Sequence, residues 1–147
     1  MEDEVRIEIV SDADLVIARA EGRAMAQQLG FPRPDPTLIA TAISEIARNI
    51  VLHAGYGEIL LQPVGDRDWF GLRVVATDAG PGLRDPDAAL QGDYSGHGGL
   101  GLGLPGARRL MDEFELATDA ASGTTVTMTK WRPRDELARV REQRRRG

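Results

Sequence analysis

The sequence predicts an α/β (α+β) two-layer sandwich, a mixed β-sheet with helices on one face, on the strength of three observations. Period-2 apolar alternation marks strands, two segments with 3.6-residue apolar spacing mark helices, and short polar turns join strands into hairpins. Elements with one apolar side each must bury it against another layer. At 147 residues and 41% hydrophobic, the chain supports one domain with a real core but not two domains and a linker.

The elements follow in order. Val5, Ile7 and Ile9 alternate with Arg6 and Glu8, as in a half-buried strand. Ser11 and Asp14 have capping-box spacing, and Leu15, Ala18, Met25 and Leu29 recur at helical intervals up to Gly30, which predicts a helix over Asp12–Leu29. Pro32, Pro34 and Pro36 make a stiff connector. Thr37 is then expected to cap a second helix with the stripe Ile39, Ala42, Ile43, Ile46 and Ile50, closed by Gly55 and Gly57. Residues 58–64 and 69–78 read as strands joined by Gly65, Asp66, Arg67 and Asp68. Residues 79–99 hold six glycines and two prolines without periodicity, too long a stretch for an ordinary connection in so small a domain. Pro105 suits a first helical turn continued by residues 107–113, and residues 114–119 and 124–131 form a last hairpin across Ala121, Ser122 and Gly123. Residues 1–131 are therefore read as the domain, and 132–147 as a basic, flexible or helical C-terminal tail.

Composition narrows the chemistry. With no cysteine, disulfides and thiolate metal sites are impossible, and only His53 and His97 offer imidazole. No apolar run reaches the roughly 18 to 20 residues needed to cross a bilayer, and the first ten residues are charged, so the expectation is a cytoplasmic protein with no membrane partner. The net charge is −5, but residues 132–147 carry seven arginines against Asp135, Glu136 and Glu142; the remainder, at −9, is a poor binder of nucleic acid.

Three features carry chemistry. Glu45 and Asn49 lie four residues apart on the second helix and project from one side, with Thr41 and His53 on the same line. Asp78-Ala-Gly80-Pro-Gly82 follows an apolar strand; paired glycines let a flat ligand approach the main chain, and a carboxylate there can accept a hydrogen bond from an exocyclic amine. Gly96 to Gly106, including Gly98, Gly99, Leu100, Gly101, Leu102 and Gly103, runs into a helix start, where free N–H groups at the positive dipole end suit phosphate oxygens. It is not a Walker A loop, because no G-x-x-x-x-G-K-[ST] arrangement exists. No strand directly precedes the glycines, which excludes the Rossmann reading.

Glu45-Ile-Ala-Arg-Asn49, Asp78-Ala-Gly-Pro-Gly82, Gly99-Leu-Gly-Leu-Gly103 and Gly123-Thr124 together resemble the ordered boxes of the GHKL ATPases, whose Bergerat ATP-binding fold is shared by gyrase, MutL and histidine kinase ATP domains. Thr41 to Asn49 and Gly103-Leu-Pro-Gly-Ala-Arg-Arg-Leu-Met-Asp-Glu-Phe114 are most similar to the RsbT-type switch kinases of the bacterial stressosome. That resemblance implies ATP and Mg²⁺ as cofactors. It implies Asn49 as the metal ligand, Glu45 as the catalytic base for a serine or threonine hydroxyl, and Asp78 as the acceptor for the adenine amine. It further implies Gly80 and Gly82 as the pocket floor, Gly99, Gly101 and Gly103 over the phosphates, Thr124 beside adenine, and residues 93–97 as a lid. The implied partners are STAS-domain scaffold and antagonist proteins (RsbR/RsbS-like), which are phosphorylated, and a PP2C-type phosphatase (RsbU-like), activated by contact. An RsbW-like anti-sigma factor kinase and a non-catalytic ATP-binding regulatory module are the alternatives.

Overall fold

The computed structural model describes residues 3–80, 103–119 and 123–134. Among these the chain runs β1 (Val5–Ile9), α1 (Asp12–Leu29), α2 (Asp35–His53), β2 (Gly57–Gly65), β3 (Trp69–Asp78), α3 (Gly103–Leu110), β4 (Glu113–Asp119) and β5 (Gly123–Pro133). The sheet order is β1-β2-β3-β5-β4.

Local signals account for most of the boundaries. Asp14 Oδ2 accepts the Ser11 and Val10 N–H groups at 3.1 and 2.9 Å, satisfying donors at the start of α1. Gly30, at φ 92°, ends the helix in the left-handed conformation that costs glycine nothing. The second helix begins two residues before the expected Thr37 cap. Pro36 has the φ a first turn requires, and Thr37 already donates its N–H to the Pro34 carbonyl at 3.1 Å. Asp66 Oδ1 accepts the Asp68 and Trp69 N–H groups, both at 2.9 Å, which closes the β2–β3 hairpin where the polar turn was expected.

The two-layer architecture is as expected. One face of the sheet supplies Ile7, Ile9, Ile59, Leu61, Leu72, Val74 and Met128 to the core, and α1 and α2 supply Leu15, Met25, Ile39, Ile43, Ile46 and Ile50. The two helices pack closely because Gly22 faces Ile43: a Cβ there would lie 2.1 Å from Ile43 Cδ1. The expected mixed sheet is corrected in one respect. Every pairing among the described strands is antiparallel. Hairpins join β2 to β3 and β4 to β5, and the long excursion through α3 and β4 returns β5 beside β3 in the opposite direction, so no described pair is a parallel crossover.

β5 also runs two residues past Trp131, where the tail was expected to begin. The cause is an ion pair: Arg132 donates through Nε and Nη2 to the two oxygens of Asp35, at 2.5 and 2.7 Å, and Asp35 is 1% exposed. A two-pronged guanidinium–carboxylate contact ties the start of α2 to the end of β5 across 97 residues of sequence. Arg132→Leu leaves that buried carboxylate uncompensated and is expected to cost about 3–5 kcal/mol in urea unfolding. Adding Asp35→Asn should recover part of the loss; a single-variant loss below about 1 kcal/mol would show that water compensates Asp35.

Candidate functional site

The site is assembled from the C-terminal half of α2, the N-terminus of α3 and one end of the sheet. Glu45 is 7% exposed, and its Oε2 accepts the Gly103 backbone N–H at 2.8 Å. Oε1 stands 4.0 Å from Arg48 Nη1. Gly103 opens α3 with φ 63°, a conformation other residues adopt only with strain, so a glycine belongs at this junction. The Glu45 carboxylate thus sits at the positive end of the α3 dipole. Asn49, one turn further along α2, is half-buried.

The other end of α3 is held by the opposite charge. Lys130 Nζ, on the mostly buried β5, donates to the Leu110 carbonyl at 2.9 Å. Leu104, Ala107 and Met111 are buried, while Arg108 and Arg109 face out. α3 packs against α2, so its position and that of Glu45 are mechanically linked.

Asp78 closes β3, flanked across the ladder by Gly57 of β2 and Thr124 of β5. Its Oδ1 accepts the Gly80 N–H at 2.9 Å, which aims the carboxylate and leaves Oδ2 as a further acceptor. Glycines crowd this corner because backbones meet there. A Cβ on Gly80 would lie 2.7 Å from Ala54 Cβ, and one on Gly123 only 2.0 Å from the Asp78 carbonyl oxygen. Thr124 Oγ1 is 3.0 Å from Thr118 Oγ1, a hydrogen bond between β5 and β4 that orients the hydroxyl.

Of the candidates read from the sequence, Glu45 meets Gly103, Asp78 meets Gly80, and Thr124 pairs with Asp78. Thr41 turns its hydroxyl back to the Thr37 carbonyl at 2.9 Å, a contact within the helix. Gly82, Gly98, Gly99, Leu100, Gly101, Leu102 and the expected lid at 93–97 lie outside the described residues. Sequence reasoning missed Arg48 and Lys130. Arg48 is legible as the i+3 neighbour of Glu45; a lysine in a strand carries no sign of the helix end it will cap. Among the described residues, no group of three or more His, Asp or Glu side chains could hold a metal ion. A hard cation here would therefore rely on a carboxamide oxygen such as that of Asn49 together with phosphate and water oxygens, a donor set that suits Mg²⁺.

Gly123→Ala tests the sheet end. The φ of 91° and the clash with the Asp78 backbone both oppose a side chain. A loss of stability above about 1–2 kcal/mol, the cost of the left-handed conformation alone, is expected in thermal or urea unfolding. Wild-type stability would mean that the β3 and β5 ends are not in this contact.

Comparison with known proteins identifies the family. The histidine kinase-like ATPase domain family matches residues 10–130. The serine/threonine-protein kinase RsbT of Bacillus subtilis (strain 168) is 47% identical over 131 residues, covering 89% of this chain and 98% of that protein. The anti-sigma F factor of Thermoanaerobacter sp. (strain X514) is 31% identical over 126 residues, covering 78% and 82%. That of Caldanaerobacter subterraneus is 30% identical over 125 residues with the same coverage. The extent of the family match and the 47% identity across nearly the whole length of RsbT place the chain: it belongs to the histidine kinase-like ATPase domain family and, within it, to the RsbT-type serine/threonine-protein kinases.

Proposed function

We propose that this kinase transfers phosphate from ATP·Mg²⁺ to a serine or threonine of a STAS-domain scaffold or antagonist protein, and that its released form activates a PP2C-type phosphatase by contact. The observation that carries the reading is the Glu45 carboxylate resting on Gly103, the glycine at which α3 begins. ATP supplies the phosphoryl group when bound. Asn49 would hold Mg²⁺ through its carboxamide oxygen, and Asp78 Oδ2 would accept the adenine amine while Gly80 keeps Oδ1 in place. Gly82 would complete the floor with Gly80, and Thr124 would support the adenine side. Gly98, Gly99, Leu100, Gly101, Leu102 and Gly103 would present N–H donors to phosphate oxygens.

Glu45 has two tasks in this scheme. At rest its Oε2 satisfies the Gly103 N–H. If that donor turned to a phosphate oxygen, Oε2 would be released to take the proton of the incoming hydroxyl, with Arg48 Nη1 4.0 Å from Oε1. The base would then be delivered only when the phosphate-binding donors are occupied. No described helix is long and apolar enough to cross a membrane, in keeping with action in the cytoplasm, within a stressosome-type partner-switching pathway. The kinase domain would comprise residues 1–131 together with the last residues of β5, leaving the remaining residues as a basic extension.

Labelled ATP, Mg²⁺ and a STAS-domain substrate test the proposal directly. Glu45→Gln should slow phosphotransfer by roughly 10²- to 10⁴-fold and leave nucleotide affinity near wild type. Unchanged transfer would remove Glu45 from the role of base. Asp78→Asn should weaken nucleotide binding by about 1.5–3 kcal/mol, measured by calorimetry. Equal affinity would remove Asp78 from the adenine site. The resemblance to anti-sigma F factors supports a second reading, sequestration of a sigma factor. A pull-down with purified sigma factor and PP2C-type phosphatase separates the two, since retention of the sigma factor alone would favour the second.

A further inference from the structure

The opposite end of the sheet has a feature the catalytic reading does not use. Asp78 and Trp69 end the same strand, about 30 Å apart at the usual rise per residue. Around Trp69 lies a groove of about 660 Å³ lined by Asp66, Trp69, Asp112, Glu113, Trp131 and Arg132. In the β3–β5 register Trp69 pairs with Pro133 and Gly71 with Trp131, which puts both indoles on the sheet face turned away from α1 and α2. Trp131 lies against Gly71, where a Cβ would come within 2.8 Å of Cε3, so a glycine in mid-strand makes room for the ring. Trp69 is 45% exposed, a large aromatic surface left open to water.

The rim carries three carboxylates, Asp66, Asp112 and Glu113, beside the guanidinium groups of Arg132 and Arg134. Asp66 Oδ1 is fixed by the Trp69 and Asp68 N–H groups, and those hydrogen bonds hold its carboxyl below the usual range. Asp112 Oδ2 accepts the Trp131 N–H at 2.7 Å, and Glu113 is exposed. Each of the three keeps carboxylate acceptor capacity toward the groove. The cations nearby are engaged: Arg132 is paired with Asp35, and Arg134 Nε donates to the Asp66 carbonyl at 2.5 Å. Open indoles with a carboxylate rim are the chemistry that receives a guanidinium, which stacks flat on one and pairs in two-pronged fashion with the other.

We propose that this groove docks an arginine-bearing basic segment of a partner protein. It is independent of the ATP site and can fail without affecting the kinase assignment. The chain has two tryptophans, and both line the groove, so intrinsic fluorescence of the full-length protein reports on it without a label. The probe is a synthetic dodecapeptide with several arginines and no acidic residue, titrated beside its Arg→Gln counterpart. A saturable fluorescence change with the arginine peptide is expected, about tenfold weaker or more with the glutamine peptide and in Glu113→Lys, as fits loss of a charge-assisted contact. ATP affinity of Glu113→Lys should be unchanged. Absence of saturation, equal binding of both peptides, or wild-type binding by Glu113→Lys would overturn the proposal. So would a response that emerges only after Arg139, Arg141, Arg144, Arg145 and Arg146 are replaced by glutamine, because the groove would then belong to this chain's own arginines.

Discussion

A helix of eight residues has little stability of its own, since segments shorter than roughly 12 to 15 residues are marginal in water. α3 holds its place because its two ends meet opposite charges. The Glu45 carboxylate takes the Gly103 N–H at the positive end, and the Lys130 ammonium takes the Leu110 carbonyl at the negative end. Both groups are mostly buried, so these contacts are little weakened by solvent. The alignment of α3 with α2 is held in part by the first of them. A carboxylate in this place positions α3 and, under the proposed function, would also act as the base for phosphotransfer.

The Asp78 end of the sheet is organised on a different principle, steric crowding. Asp78 is hemmed in by backbones that approach more closely than side chains allow. Gly57 abuts the Thr77 carbonyl, Gly80 abuts Ala54, and Gly123 abuts the Asp78 carbonyl. The carboxylate is therefore aimed by its surroundings and by the Gly80 N–H. Under the proposed function, the acceptor at the strand end would serve recognition and the carboxylate on α2 would serve chemistry.

Much of this was legible in the sequence, and physical reasons separate what was from what was not. α1 matches its expected bounds because its cap, apolar spacing and terminal glycine are all local. Residue spacing put Glu45 and Asn49 on one side of α2, and only the resemblance to GHKL ATPases implied that they belong with the glycine run; the hydrogen bond to Gly103 required coordinates. The start of α2 was misplaced because Thr37 is a good cap by propensity, yet Asp35 is drawn inward by Arg132. That arginine, in turn, reads as part of a basic tail until its partner, 97 residues away, is known. Lys130 is misleading for the same reason: its charge satisfies a carbonyl from a different element. Tertiary contacts between residues distant in sequence leave no periodicity to read.

The Glu45–Gly103 contact is the point on which the account turns, and the Gly103 amide observes it directly. Nitrogen-15 NMR on the full chain should show that amide hydrogen-bonded and slow to exchange without nucleotide. Addition of ATP·Mg²⁺ should move its resonance strongly, while Glu45→Ala should remove its protection in the free protein. A Gly103 amide that exchanges at the same rate in Glu45→Ala, and whose resonance ignores nucleotide, would contradict the coupling of α2 to the phosphate-binding segment.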